Sequence, residues 1–155
     1  MTTDPFDLQR FHVAQERGGA YATALAELRT GHKRSHWIWF VFPQLDGLGS
    51  SPMALRYAIG SLNEARAYLA DDVLGPRLRA CCEALLALGG GGDGDGDGDE
   101  IQHVMGGIDA IKLRSSITLF ALADPGEPLF GQVLARWYGG ERDAATERLL
   151  VAADP

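Results

Sequence analysis

Apolar residues recur along this chain at three- and four-residue spacing, and the runs are cut at short intervals by helix start and stop signals. That pattern admits little besides a bundle of short helices. Tyr21, Ala24, Leu25 and Leu28 stand at i, i+3, i+4 and i+7 and stop at Gly31. Leu74, Leu78, Cys81, Leu85 and Leu88 form the longest stripe, with Pro76 tolerable only in its first turn. Phe130, Val133, Leu134 and Trp137 repeat the spacing and end at Gly139-Gly140. Asp4-Pro5 and Ser51-Pro52 each pair a capping side chain with a proline suited to the first helical position. Ser61 with Glu64 reads as a capping box. Further helices are expected from Leu8 onward, behind Asp109 as cap, and around Ala145 and Leu149. Only residues 37–42 offer a competing alternation. The expected fold is all-α, a single domain of seven or eight helices over residues 1–155.

Length and charge narrow the class. A chain of 155 residues buries enough surface for a core without disulfides. The formal charge of −7 comes largely from one tract: Asp93, Asp95, Asp97, Asp99 and Glu100 contribute five of the 21 acidic residues, leaving 16 against 14 basic. A near-neutral body disfavours nucleic acid as a partner. The N-terminal MTTDPFDLQRF lacks the apolar run of a signal peptide, and no apolar run is long enough for a bilayer, so the expected location is the cytoplasm, with no membrane partner. Cys81 and Cys82 are adjacent and have no third cysteine to pair with, which suits two buried thiols. The Gly/Asp-rich stretch 89–100 reads as a flexible linker. Its Asp93-x-Asp95-x-Asp97-Gly98 copies half of an EF-hand loop, but the twelfth position is Val104 where a glutamate is needed, so no metal site is assigned.

Two segments could carry chemistry. GHKRSHWIWFVFPQ, residues 31–44, sets His32, Lys33, Arg34 and His36 against Trp37, Trp39, Phe40 and Phe42, with no acidic residue from 30 to 45. Cations beside flat rings suit an anionic, planar ligand, although large aromatics also form cores. Lys33 and Arg34 are expected to reach solvent at its entrance. The second segment, DAIKLRSSITLF at 109–120, has apolar faces Ile108/Ile111/Leu122 and Leu113/Ile117/Phe120, which suggests burial on most sides. Lys112, Ser115 and Ser116 nevertheless form a polar stripe that lines a pocket or finds partners in neighbouring helices. Gly47-Leu48-Gly49-Ser50-Ser51-Pro52 is a weaker candidate for a phosphate, lacking the lysine of a P-loop.

These residues carry a resemblance. DLQRF at 7–11, ALAEL at 24–28, KRSHWIWFVFPQ at 33–44, GLGS at 47–50, EARAYL at 64–69, LGPRL at 74–78, KLRSSITLF at 112–120 and GGERD at 139–143 resemble the domain-of-unknown-function family 1810 of small helical bacterial proteins. The resemblance implies a mainly helical single domain and no established activity. Members are sometimes labelled calpastatin-like, but nothing in these residues supports protease inhibition. The chain departs from the family pattern at Asp71-Asp72, where members often have His-Pro. It also departs in the longer Gly/Asp tract and at HVMGG, 103–107, in place of an IFGxP stretch.

The leading functional expectation is a domain that binds or processes a nucleotide-like ligand such as NAD or an ADP-ribose derivative. Its site would comprise Lys33, Arg34, Ser35, Trp37, Trp39, Gln44, Lys112, Arg114, Ser115 and Ser116, with His36 as the candidate general base. The alternative is a non-catalytic interaction or structural module in which the same aromatics are core. Whether the protein is an enzyme, its cofactor and its oligomeric state stay open at this level.

Overall fold

The computed structural model describes residues 3–88 and 99–153. Among them are ten α-helical segments: α1 Gln9–Glu16, α2 Ala20–Thr30, α3 Ile38–Val41, α4 Pro52–Arg56, α5 Leu62–Ala70, α6 Leu74–Ala87, α7 Asp99–Met105, α8 Gly107–Ala123, α9 Pro128–Tyr138 and α10 Ala144–Ala153, with a 3-10 turn Arg17–Gly19 joining α1 to α2. The all-α class is as expected, and the count is close. The two additional segments are the single turn α3, inside the aromatic run, and α7. The expected linker 89–100 is shortened by α7, which takes its last two positions; residues 89–98 lie outside the described residues.

Capping chemistry sets several boundaries. Ser51 accepts from the Ala54 amide and Ser61 from the Glu64 amide, each at 3.1 Å. Glu64 turns back to the Gly60 amide at 3.0 Å and to Arg10 at 2.8 Å, so the expected box closes one residue early. Asp4 accepts from the Leu8 and Gln9 amides, at 2.8 and 2.9 Å, which delays α1 to Gln9. Gly31 and Gly139 end α2 and α9 in the left-handed conformation that a glycine adopts without strain.

Helix α8 is the axis of the fold and packs against α3, α5, α7, α9 and α10. A file of aromatic rings crosses the core beside it: Phe11–Tyr68 at 5.1 Å edge-on, Tyr68–Phe120 at 5.3 Å and Phe120–Phe130 at 6.0 Å. The buried polar groups on this path are paired. Gln15 donates to the Phe40 carbonyl at 2.8 Å and to the Tyr68 hydroxyl at 3.1 Å, and accepts from Arg77. Arg10 spends its guanidinium on the Phe6, Asp7, Arg56 and Ala58 carbonyls and on Glu64, tying α1 to the 56–64 turn. One expectation about α8 is corrected: Ile108 and Ile111 are not a buried face but are 72% and 61% exposed, because the first turns of the helix stand at the edge of the bundle.

Candidate functional site

The loop between α2 and α3 is folded around one carboxylate. Glu27, in the last turn of α2, accepts from the Arg34 amide at 3.0 Å, the Ser35 amide at 3.1 Å, the Ser35 hydroxyl at 2.6 Å and the Trp37 indole at 2.8 Å. Burial pushes its pKa up, but the donors from Ser35, Arg34 and Trp37 outweigh that and hold it at about 2. An acid near a helix C-terminus opposes the helix dipole. That misplaced charge was the one sign of this role in the sequence, and sequence reasoning missed it.

The same loop is pinned to α8. Lys33 Nζ lies 2.7 Å from Asp109 Oδ2 and 4.8 Å from the Trp37 ring, donates to the Ser35 carbonyl, and its amide donates to the Val104 carbonyl at 2.8 Å. Its side chain is only 6% exposed, so the expectation that Lys33 reaches solvent is corrected. The cause is Asp109, which sits in the first turn of α8 as an ion-pair partner instead of capping that helix. Arg34 and His36 are exposed, and His36 makes no side-chain hydrogen bond among the described residues. Trp37 is 1% exposed, with Phe40 and Phe42 also in the core. Gln44 is half-buried and its carbonyl accepts from the Ile59 amide at 2.8 Å.

The structure brings the two candidate segments together along a seam between α3 and α8. Lys112 Nζ stands 5.2 Å from the centre of the Trp39 ring, which is only partly buried. Trp39 Nε1 is itself buried and has no hydrogen-bond partner among the described residues. One turn along α8 on the same side, Ser116 is fully buried and its hydroxyl is likewise unpartnered. Ser115 instead donates back to the Ile111 carbonyl at 3.2 Å, as a helical serine readily does. Arg114 points away from the seam: its guanidinium lies 5.8 Å from the Tyr138 ring and 4.0 Å from Glu141.

The remaining candidates are occupied structurally. Ser51 is used as the α4 cap, and Gly47 makes a left-handed turn against Leu149. Burial pushes the Cys81 thiol up to about 12 and raises Cys82 well above the usual range, which removes both as nucleophiles at neutral pH. No group of three metal-ligating side chains occurs among the described residues. A cleft of about 710 Å³ opens elsewhere, between Leu45, Asp46, Asn63, Arg66 and Leu149, and includes none of the candidate ligand-binding residues. No described helix is long and apolar enough to cross a membrane.

A sequence model of the family described as "Protein of unknown function (DUF1810)" matches residues 5–150. The crystal structure of a conserved hypothetical protein from Mycobacterium tuberculosis, Rv1873, is similar at 49% sequence identity, covering 96% of this chain and 99% of that one with a TM-score of 0.87. No curated protein matches the chain.

Proposed function

The chain belongs to the DUF1810 family of proteins of unknown function, and we propose that this member binds a small anionic ligand of nucleotide-like type, such as an ADP-ribose derivative or NAD, at the α3–α8 seam. The observation that carries the reading is the buried, unpartnered indole N–H of Trp39 beside the Lys112 ammonium. A buried donor left unmet costs about 1–3 kcal/mol, and native proteins rarely leave one without reason. Phosphate oxygens and ribose hydroxyls supply the missing acceptors. In this reading Lys112 provides charge and Trp39 Nε1 donates to oxygen, while Arg34 and His36 are exposed on the α2–α3 loop. Contact with a base falls to Trp39, because both faces of Trp37 are covered. The reading is one of binding; a general-base role for His36 needs an orienting partner that the ligand itself would have to provide.

A second reading, the non-catalytic interaction or structural module, is favoured by the burial of Trp37, Phe40 and Phe42. Calorimetric titration with ADP-ribose, NAD, AMP and inorganic phosphate separates the two. Micromolar binding that Lys112→Met abolishes, with folding intact or stability raised, supports the ligand site. A Lys112→Met protein that loses about 1–3 kcal/mol of stability while its ligand response is unchanged removes Lys112 from any site. No heat with any of the four compounds favours the module.

A further inference from the structure

The cleft of about 710 Å³ lies between residues 45–46, the N-terminal half of α5 and α10. Its size falls within the range of about 300–1,000 Å³ usual for sites that take organic ligands. Helix α10 packs mainly against α8 and leaves Leu149 and Leu150 half-buried, so that with Leu45 and Leu62 they give the cleft an apolar lining. Two opposite charges stand in that lining. Asp46 is exposed but carried on fixed backbone: its amide donates to the Ile59 carbonyl, and the Ile59 amide to the Gln44 carbonyl, each at 2.8 Å. Arg66 Nε donates to the Ala123 carbonyl and Nη1 to the Asn63 side-chain oxygen, each at 3.1 Å. Both acceptors orient the guanidinium and neither neutralises it. Neither Asp46 nor Arg66 forms an ion pair among the described residues. Glu64, on the same helix, is engaged by Arg10 and the Gly60 amide, and Asp124 borders Arg66 on another groove without pairing with it.

We propose that this cleft binds a short apolar peptide of two or three residues with both termini free. The peptide ammonium pairs with Asp46, its carboxylate with Arg66, and its aliphatic side chains lie on the four leucines. Charge complementarity selects this occupant. A purely anionic ligand satisfies Arg66 but is repelled by Asp46, and a purely cationic one meets the reverse. A wholly apolar ligand desolvates both charges and pairs neither, which is costly. A single amino acid carries the right charges but leaves most of the lining uncovered. The site goes beyond the small-ligand reading and shares no residue with the α3–α8 seam.

The test is calorimetric titration of the full-length protein with the tripeptide Leu-Ala-Leu, its N-acetylated and C-amidated forms, and triglycine. The free tripeptide should bind saturably. Acetylation and amidation should each weaken it about fivefold, as loss of one partly solvated charge pair does. Triglycine has the same termini without the side chains and should bind at least about tenfold more weakly. In Asp46→Asn, a surface change that should keep the wild-type melting profile, the effect of acetylation should vanish while that of amidation persists. Arg66→Gln should show the converse. Should Arg66→Gln unfold the protein by giving up the Ala123 contact, the Asp46→Asn arm decides alone. No saturable binding of Leu-Ala-Leu overturns the proposal. So does indifference to either blocked terminus, an acetylation effect that survives Asp46→Asn, or triglycine binding as tightly as Leu-Ala-Leu. Displacement of the tripeptide by ADP-ribose also overturns it, by making the cleft an anion site. ADP-ribose binding that Lys112→Met abolishes reports on the seam whatever the tripeptide does, so the two readings fail separately.

Discussion

Glu27→Gln removes the charge around which the α2–α3 loop is built and leaves the side chain's shape unchanged. The carboxylate accepts four hydrogen bonds, and its pKa falls from the ordinary 4.5 to about 2. At about 1.4 kcal/mol per pH unit, that difference amounts to at most ~3 kcal/mol. Glu27 is partly solvated, and screening reduces the figure to about 2 kcal/mol. The amide retains one acceptor oxygen, so the expected loss at pH 7 is about 1–2 kcal/mol. The sign follows from the direction of the shift. A carboxyl whose folded pKa is depressed contributes its full stability above about pH 4.5 and loses it as pH falls towards 2. Urea denaturation of both proteins from pH 7 to pH 2.5 should show the gap narrowing through that window and nearly closing at its acid end. A gap that is constant with pH, or no gap at pH 7, would refute the assignment of Glu27 as the organiser of the loop.

Lys33 and Arg34 should separate cleanly in thermal denaturation: Lys33→Gln orphans the Asp109 carboxylate and should cost about 2 kcal/mol, whereas Arg34→Gln should stay within about 0.5 kcal/mol. Gly75→Ala places a Cβ 2.1 Å from the Leu69 carbonyl oxygen, a backbone atom that cannot swing aside. It should cost at least about 2 kcal/mol by the same measurement. Arg10→Met strips donors from four carbonyls and leaves Glu64 without its cation. Chemical denaturation should register about 3 kcal/mol, and a loss under 1 kcal/mol would contradict the central role given to this side chain.

The fold was legible because its helices are punctuated locally. Ser51, Ser61, Gly31 and Gly139 act in the structure as their residue types suggest, through caps that need no knowledge of distant contacts. Helix α7 was hidden by the Gly/Asp tract before it, although Ile101, Val104 and Met105 at i, i+3 and i+4 are all buried and carry a visible helical signal. The basic aromatic segment meets α8 through the Lys33–Asp109 and Lys112–Trp39 contacts, and the roles those residues take there were not legible in local spacing. Two cations of the same apparent kind divide between a buried ion pair at Lys33 and a contact with a half-exposed ring at Lys112. What separates them is Asp109, a carboxylate brought to Lys33 from another element, and a tertiary partner of that sort leaves no mark in local spacing. The exposure of Ile108 and Ile111 was invisible for the same reason: periodicity identifies an apolar face but not whether anything covers it.

The three tryptophan indoles make the ligand seam directly observable by nitrogen–proton correlation NMR. Trp37 Nε1 donates to Glu27 at 2.8 Å and Trp137 Nε1 to the Leu85 carbonyl at 3.3 Å, while Trp39 Nε1 has no partner among the described residues. On titration with ADP-ribose, the Trp39 indole resonance should move downfield to saturation as its N–H gains an acceptor, with the Trp37 and Trp137 resonances nearly still. The same titration of Lys112→Met should leave all three in place. A Trp39 signal that is unmoved while ADP-ribose binds, or movement led by Trp37 or Trp137, would contradict a ligand site between α3 and α8.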